Sequence, residues 1–193
     1  MIAFENAALG YPGKTVFANL NWTLPHRGTI ALMGPSGGGK TTLLRALAGL
    51  LPPLSGRVEG LENKKIAVLF QEDRLLPWLT AEKNAALAGG LAGARHWLAQ
   101  MEIDAPGQYP REMSGGMQRR AALARAMNYG GDLLLLDEPF KGLDETLRAR
   151  IAGRIRNQAP LIVLSIHDPR EAELMGAEII RLEDIKSGRT PSL

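Results

Sequence analysis

The stretch that decides the fold is "GTIALMGPSGGGKTTLLRAL" at residues 28–47. An apolar run opens it, a segment with four glycines follows at 34–42, and leucines at helical spacing come next. This order predicts a buried strand, a loop and a helix. Because glycine has no Cβ, the N–H groups of such a loop can turn inward around an anion. The free N–H groups and positive end of the following helix favour the same ligand, so the stretch predicts a phosphate site.

The loop matches the P-loop pattern G-x-x-x-x-G-K-[ST]. In that pattern the lysine binds the β- and γ-phosphates of a nucleoside triphosphate, and the hydroxyl of the next residue ligates Mg²⁺. A glycine-rich turn with an incidental lysine is the alternative, and the strand and helix around the motif argue against it. The residues expected to form the cradle are Gly34, Pro35, Ser36, Gly37, Gly38, Gly39, Lys40, Thr41 and Thr42.

Two carboxylates follow a leucine-rich run in "LLLLDEPF" at 133–140, which we interpret as a buried strand that Pro139 ends. Successive strand side chains point to opposite sides, so Asp137 and Glu138 are expected to have different tasks. Asp137 suits the Mg²⁺ site, and Glu138 suits a general base for the attacking water. His167 ends the next apolar run, where a contact with the γ-phosphate or the attacking water and a structural role are equally compatible with the sequence.

Composition restricts the class of protein without naming a partner. The chain has 193 residues, 45% of them hydrophobic and 22% charged, with a net charge of +3 and no cysteine. These values fit one domain over 1–193, exclude disulfides and thiolate metal sites, and are compatible with a reducing compartment. The first residues lack a signal-peptide pattern and the apolar runs are too short to span a bilayer, so we expect a soluble, cytoplasmic protein. The polar tail at 186–193 is expected to fray.

Short apolar runs alternate with helical patterns along the chain, which predicts an α/β fold with a mostly parallel sheet around a P-loop NTPase core. Strands are expected up to Met33 and again at 66–70, followed by helix from 80 to 128 and then strand, helix and strand up to Leu182. The alanine- and glycine-rich region at about 75–128 is interpreted as a small inserted helical subdomain.

A second phosphate site is predicted by "MSGGMQRR" at 113–120, because a serine and two glycines open a basic helix there. The segment resembles the signature motif of ATP-binding cassette (ABC) ATPases, which usually has leucine in place of Met113. The other motifs of that family occur in its order over almost the whole chain. They are Tyr11, the P-loop, Gln71 in "LFQED", the signature, "LLLLDEP", "KGLD" at 141–144 and His167.

The resemblance implies a head-to-tail homodimer in which each ATP, with Mg²⁺, lies between the P-loop of one subunit and the signature of the other. The signature contacts are Ser114, Gly115 and Gly116. By the same resemblance, Tyr11 stacks on the adenine, Gln71 contacts Mg²⁺ and the attacking water, and Asp144 reaches the opposite subunit. The implied catalytic residues are Lys40, Gln71, Glu138 and His167, and the implied metal contacts are Thr41, Gln71 and Asp137.

The resemblance also implies partners: integral-membrane permease subunits driven by ATP hydrolysis, and a solute-binding protein, with this subunit on the cytoplasmic face of the membrane. "FQEDRLLPWLTAEKN" at 70–84 is similar to importers of nitrate, sulfonates, taurine and thiamine precursors. In this chain, Leu75, Leu76, Trp78 and Leu79 are candidates for a groove that binds a coupling helix of the permease. The alternative is that Leu76 and Trp78 pack inside the helical subdomain.

Several features differ from the family, among them a short glycine- and alanine-rich helical segment before Ser114 and "ED" at 72–73 in place of the more usual Glu-Pro. The segment between Thr42 and Gln71 is short, as though a β-hairpin were missing, and "KGLD" replaces the commoner Ser-Ala-Leu-Asp. The arginines within 118–127 are interpreted as a solvated face with some charge near phosphate, so no nucleic-acid partner is expected.

Two other functions are alternatives to the transporter ATPase. One is an ABC ATPase of DNA maintenance or translation, which lacks support because the chain has neither a coiled-coil insertion nor a second cassette. The other is a regulatory module that does not hydrolyse ATP.

Overall fold

The computed structural model describes residues 1–188, so most of the tail predicted to fray lies outside the described residues. The strands are β1 Ile2–Tyr11, β2 Lys14–Leu24, β3 Gly28–Met33, β4 Ser55–Glu59, β5 Ile66–Leu69, β6 Leu133–Asp137, β7 Leu161–Ile166 and β8 Glu178–Arg181. The α-helices are α1 Lys40–Leu47, α2 Ala81–Ala86, α3 Leu91–Gln100, α4 Gly115–Tyr129, α5 Glu145–Ile155, α6 Pro169–Met175 and α7 Leu182–Lys186. A 3₁₀ turn spans Pro110–Glu112. None of the helices in this part of the chain has the length and apolar character that crossing a bilayer requires.

Two sheets form the framework. The strands β5-β6-β7-β3-β8 make a parallel sheet, and β2-β1-β4 make an antiparallel one. The prediction of an α/β fold with a parallel sheet and N-terminal antiparallel strands is therefore confirmed. In the parallel sheet, Met33 pairs with Ile166 and Asp137 pairs with Ser165. The carboxyl ends of β3, β6 and β7 consequently meet at one edge, which is where parallel sheets bind ligands.

Both faces of the parallel sheet are buried, each in its own hydrophobic cluster. In β6, Leu134 and Leu136 face the cluster that includes α4 and α5, whereas Leu133 and Leu135 face the cluster that includes β1, β2 and α1. This alternation follows from the two-residue period of a strand. Helix α1 contributes four buried residues, 43, 44, 46 and 47, to the second cluster. The helix that follows the P-loop is thereby held between the two sheets.

The sequence prediction missed one strand and placed the boundaries of two elements wrongly. Strand β4 was not predicted at all, although it pairs with β1 through Phe4 and Val58. Strand β6 ends at Asp137, because Glu138 has a left-handed φ of 52° and leaves the extended conformation before Pro139. Helix does not run continuously from 80 to 128, since two short helices and a 3₁₀ turn precede α4.

Glu102, in the turn after α3, is connected to both α4 and α5. Its carboxylate accepts two hydrogen bonds from Arg150 on α5, at 2.7 and 2.9 Å, and lies 2.9 Å from Arg154 Nη1. Its carbonyl accepts a bond from Arg120 on α4 at 2.6 Å. The hydrogen bonds from Arg150 lower the pKa of Glu102 from its ordinary 4.5 to about 2, against the opposing effect of burial.

Replacing Glu102 by glutamine is expected to lower the free energy of unfolding at pH 7 by about 1 kcal/mol, since the Glu102 side chain is 30% exposed and solvent screens the pair. For a chain of this size the melting temperature falls by about 2–4 °C. Because the pKa is depressed in the folded state, this stabilisation is present above pH 4.5 and disappears as the pH falls toward 2.

The check is the melting temperature of both proteins at pH 7 and near pH 2.5. The control is Glu59→Gln, whose partner Arg57 is 65% exposed, and we expect a smaller change there at pH 7. A difference between wild type and Glu102→Gln that is constant over this pH range would contradict the assignment.

Candidate functional site

The P-loop owes its shape to glycines at two kinds of position. Gly37 and Gly39 have left-handed φ values of 73° and 116°. A Cβ on Gly39 would lie 2.7 Å from both Phe17 and Val16, and one on Gly38 would lie 2.9 Å from the carbonyl oxygen of Pro35. Side chains would therefore distort the loop, whereas glycine leaves its N–H groups in a concave arrangement suited to phosphate.

Lys40 lies at the first turn of α1 and is only 6% exposed. Its Nζ donates to the carbonyl oxygens of Gly34 at 2.6 Å and Pro35 at 3.2 Å. Burial lowers the pKa of Lys40, and the negative charges of Glu138 and Asp137 partly offset that effect. An ammonium group has three donors, so two hold the loop and the third remains for a phosphate.

Thr41 and Asp137 form the part of the site that fits a metal ion. The Thr41 hydroxyl donates to Asp137 Oδ2 at 2.7 Å, and the Ser165 hydroxyl donates to Asp137 Oδ1 at 2.6 Å. Residues 1–188 contain no group of three or more His, Cys, Asp or Glu side chains able to hold a metal unaided. A hydroxyl and one carboxylate beside a phosphate cradle fit Mg²⁺, which takes few protein ligands and completes its shell with phosphate and water.

Glu138 and His167 lie in contact at the carboxyl ends of β6 and β7. His167 Nε2 is 2.7 Å from Glu138 Oε1, and an ionised carboxylate only accepts, so Nε2 carries the proton. Lys141 Nζ is 3.6 Å from Glu138 Oε2. Burial alone would raise the pKa of Glu138, but the hydrogen bond and charge of His167 and the charge of Lys141 outweigh it and hold the pKa below its ordinary value. The carboxylate is therefore ionised at neutral pH, as a general base requires.

Ser165 is a functional residue that the sequence reasoning missed. Its hydroxyl accepts the Glu138 N–H at 2.9 Å while donating to Asp137, so one side chain orients both members of the acidic pair. The sequence could have indicated Ser165, because it is the one polar residue in the apolar run of β7.

Cavities place two further predicted residues beside this cluster. Gln71 lines a cavity of about 40 Å³ together with Thr41 and Asp137. His167 lines a second, of about 210 Å³, beside the first P-loop residues, Gly34 and Pro35. The structure therefore brings together the residues predicted for phosphate, metal and water, with the ends of β3, β5, β6 and β7 as their supports.

Tyr11 is connected to this cluster through α1. The Arg45 guanidinium, on the second turn of that helix, donates to Tyr11 Oη at 3.0 Å. The ring is half-buried at the end of β1. Tyr11, which is predicted to stack on adenine, is thus hydrogen-bonded to the helix that begins with Lys40. Arg45 is a second residue that the sequence reasoning missed.

The residues predicted as the signature lie at the start of α4. Ser114 is the N-cap of α4, accepting the Met117 N–H at 3.2 Å, and both Ser114 and Gly115 are exposed. A Cβ on Gly116 would lie 3.2 Å from the carbonyl oxygen of Gly142, so the signature packs against the segment at 141–144. Among residues 1–188, none of the hydrogen bonds and cavities described for the P-loop cluster includes Ser114, Gly115 or Gly116. Asp144 is exposed and caps α5, accepting the Leu147 N–H at 2.9 Å.

The interpretation of the α4 arginines as a solvated face was wrong. Arg119 is only 3% exposed, and Arg120 and Arg125 are partly buried. Arg120 donates to the carbonyls of Met101 and Glu102, and Arg125 donates to backbone carbonyls after Gln71. These side chains are structural connections between helix and loops, because buried guanidinium groups require several acceptors.

The apolar stretch after Gln71 is partly packed, and Trp78 does not pack inside the helical subdomain. Leu75 packs against the cluster that includes α4, whereas Trp78 is 69% exposed. Asn84, fully buried, accepts the Leu76 N–H at 2.7 Å and donates to the carbonyls of Leu76, Leu79 and Thr80. The turn that presents Trp78 is therefore held from inside the fold.

Curated proteins with similar sequences are ATP-binding components of importers. The chain is 38% identical over 185 residues to the aliphatic sulfonates import ATP-binding protein SsuB of Delftia acidovorans, covering 91% of this chain and 77% of that protein. It is 39% identical over 183 residues to an SsuB protein of Rhodococcus jostii (strain RHA1), covering 90% and 75%.

Solved structures of ABC cassettes are similar in fold to this chain. The dimeric structure of MJ0796, a bacterial ABC transporter cassette, superposes with a TM-score of 0.84 at 26% identity, covering 94% of each chain. MJ0796 in a dimeric post-hydrolysis state with ADP and Pi gives a TM-score of 0.81 at 25% identity, again over 94% of both chains. Residues 17–141 match the family described as ABC transporter. The chain therefore belongs to the ABC transporter family, as one of its ATP-binding, ATP-hydrolysing components.

Proposed function

We propose that two copies of this chain form a head-to-tail dimer that hydrolyses Mg²⁺-ATP and drives import of a small solute through a separate permease. The supporting observation is the presence of two phosphate-type helix starts on one chain, the P-loop at α1 and the exposed start of α4. A second copy, turned end to end, brings the signature of one subunit to the P-loop of the other. The dimeric MJ0796 cassette is similar in fold over 94% of the chain.

In this proposal the P-loop binds the triphosphate. The N–H groups of the cradle and the Lys40 ammonium contact the β- and γ-phosphates, and the ring of Tyr11 stacks on the adenine. Thr41, Asp137 and Gln71 are the residues that hold Mg²⁺. When bound, the ion supplies positive charge that offsets the charge of the phosphates.

Glu138 is the general base. It takes a proton from a water whose oxygen attacks the γ-phosphorus, so ADP leaves and inorganic phosphate forms. His167, bonded to Glu138 and facing the cavity beside the P-loop, holds the base in place and lies on the side of the γ-phosphate. Gln71 orients the water from the loop after β5.

Dimer closure follows from differential binding. Ser114, Gly115 and Gly116 contact the partner's ATP only in the closed dimer, with Asp144 across the interface. ATP consequently binds more tightly to the closed state, and hydrolysis removes that preference. A cycle of closing and opening results, which is the motion that a permease can use.

The permease contact lies on the turn after Gln71. An exposed tryptophan on a turn fixed by the buried Asn84 is suited to docking, because the partner meets a preformed surface. Contact there places the subunit on the cytoplasmic face of the membrane. The relatives' names make an aliphatic sulfonate, delivered by a solute-binding protein, the first solute to test.

The test is ATP hydrolysis by the purified chain against protein concentration, for wild type and Ser114→Arg. We expect wild-type turnover to rise faster than linearly, because the active species is a dimer. The variant is expected to lose that rise, since a long side chain at the start of α4 fills the second phosphate site.

The control for Ser114→Arg is Ser114→Ala, which removes the same helix cap, at a cost of about 1 kcal/mol, but leaves the site open. It removes the Ser114 hydroxyl contact but keeps the N–H groups of Gly115 and Gly116, so we expect a lower turnover that still rises faster than linearly. Turnover that is strictly proportional to concentration and indifferent to Ser114→Arg would reduce the proposal to a P-loop NTPase acting as a single subunit.

A further inference from the structure

Arg119 is a buried guanidinium with an unusual set of partners. It lies on α4, five residues after Ser114, and only 3% of it is exposed. Its Nη1 donates to the Phe70 carbonyl at 2.7 Å and to Asp73 Oδ1 at 2.8 Å. On its other edge, Nε and Nη2 donate to the Glu138 carbonyl at 3.2 and 3.0 Å, and Nη2 also donates to the Asp137 carbonyl. One side chain therefore connects the ends of β5 and β6.

The arrangement uses the fixed fork of arginine. The guanidinium presents five N–H donors in one plane, and the acceptors belong to two segments that are distant in sequence. The charge is balanced by Asp73, whose side chain is 24% exposed. A buried guanidinium hydrogen-bonded to several carbonyls holds them firmly, because its loss removes all of these bonds at once.

Glu138 needs such a hold because its backbone is in an unfavourable conformation. Its φ of 52° lies in the left-handed region, which side chains with a Cβ seldom adopt. Its N–H donates to Ser165, and its carbonyl accepts from Arg119 and from the Lys141 N–H at 3.2 Å. Both neighbouring peptide groups are thus oriented, and with them the direction in which the carboxylate leaves the chain toward His167.

We propose that Arg119 is a positioning residue for hydrolysis: it fixes the backbone of Glu138 and ties it to the loop that carries Gln71. The proposal rests on the proposed function of Glu138 as the base. Arg119 is only 3% exposed and bonds to backbone carbonyls and Asp73, so it acts through the two residues to which contact with the attacking water is assigned. Its loss lowers the rate of the chemical step and leaves the P-loop contacts to ATP unchanged.

The test compares Arg119→Lys with a matched control, Arg125→Lys. Arg125 lies on the same helix and donates to the carbonyls of Asp73 and Arg74, both in the loop after Gln71, whereas the carbonyls of Asp137 and Glu138 accept from Arg119. Lysine keeps the charge in each case and loses the fork. For Arg119→Lys we expect kcat to fall about tenfold or more, since small misplacements of a reacting group cost this much. For Arg125→Lys we expect a change in kcat of less than about twofold.

Two further readouts separate positioning from general instability. The dissociation constant for ATP is expected to stay within about twofold of wild type in both variants, because the P-loop is unaltered. The melting temperatures are measured alongside, and kcat is compared at a temperature where both variants are folded. If Arg119→Lys does not fold, Arg119→Gln, an amide that can still reach one carbonyl, carries the same expectation.

Equal losses of kcat in the two lysine variants would overturn the proposal, since a loosened loop would then explain both. Unchanged kcat in Arg119→Lys would overturn it as well. Glu138→Gln, measured in the same assay, distinguishes a failure of the positioning role of Arg119 from a failure of the proposed function. If that variant is inactive while Arg119→Lys behaves as wild type, the base assignment stands and the positioning role fails. If Glu138→Gln turns over normally, it is the proposed function that fails.

Discussion

Glu138→Gln is expected to lose ATP hydrolysis by a factor of about 10²–10⁴, the range that general-base catalysis contributes. The substitution keeps the shape of the side chain and an oxygen that can accept the His167 bond. It removes the ability to take a proton, and the pKa of Glu138 lies below its ordinary value, so the wild-type side chain is ionised and ready at neutral pH. Phosphate binding depends on other residues, so the affinity for ATP should change by less than about twofold.

The measurement pairs steady-state phosphate release with size-exclusion chromatography in Mg²⁺ and ATP. Because hydrolysis reopens the proposed dimer, the variant should accumulate as an ATP-bound dimer, whereas wild type returns to monomer as ATP is consumed. Glu145→Gln is the matched control: it makes the same chemical change on α5 at a side chain that is 83% exposed, and should turn over as wild type does. Wild-type turnover in Glu138→Gln would remove Glu138 as the base.

The residues of the site that could be predicted are those whose geometry is encoded locally or by the rule for parallel strands. The P-loop pattern specifies a strand, a glycine turn and a helix within one continuous stretch, and the structure has all three around Lys40. Glu138 and His167 each follow an apolar run. Since parallel strands end at one edge, their side chains were expected near one another, and they lie 2.7 Å apart.

The features that could not be predicted depend on partners far away in sequence. Arg119 has charged and apolar neighbours at ordinary helical spacing, and arginines on helices are mostly exposed, so nothing local distinguishes a buried one. Its acceptors are backbone carbonyls 18 and 49 positions away. Strand β4 has one partly buried apolar residue, Val58, among exposed neighbours, and its pairing with β1 gives no alternating pattern.

Lys40→Ala is expected to weaken ATP binding by about 10–100-fold, because a charge-assisted contact to phosphate contributes about 1.5–3 kcal/mol. Lys40 is buried and already donates to the Gly34 and Pro35 carbonyls, so its ammonium is held at the loop before any nucleotide arrives. The measurement is a titration with a fluorescent ATP analogue. In the same experiment the rise in melting temperature that ATP gives wild type should become smaller in the variant, as linkage requires.

Two further variants test whether the ATP affinity depends on the position of the Lys40 ammonium or only on its charge. Lys65→Ala removes one positive charge far along the chain, where Lys65 lies 4.7 Å from the Tyr129 ring centroid, and ATP affinity should be unchanged. Lys40→Arg keeps the charge but places a larger, planar group in a loop where the wild-type side chain is only 6% exposed, so we expect affinity to fall there too. Normal affinity in Lys40→Ala would contradict the phosphate assignment. Normal affinity in Lys40→Arg would instead show that charge suffices and that the shape of the buried site does not select lysine.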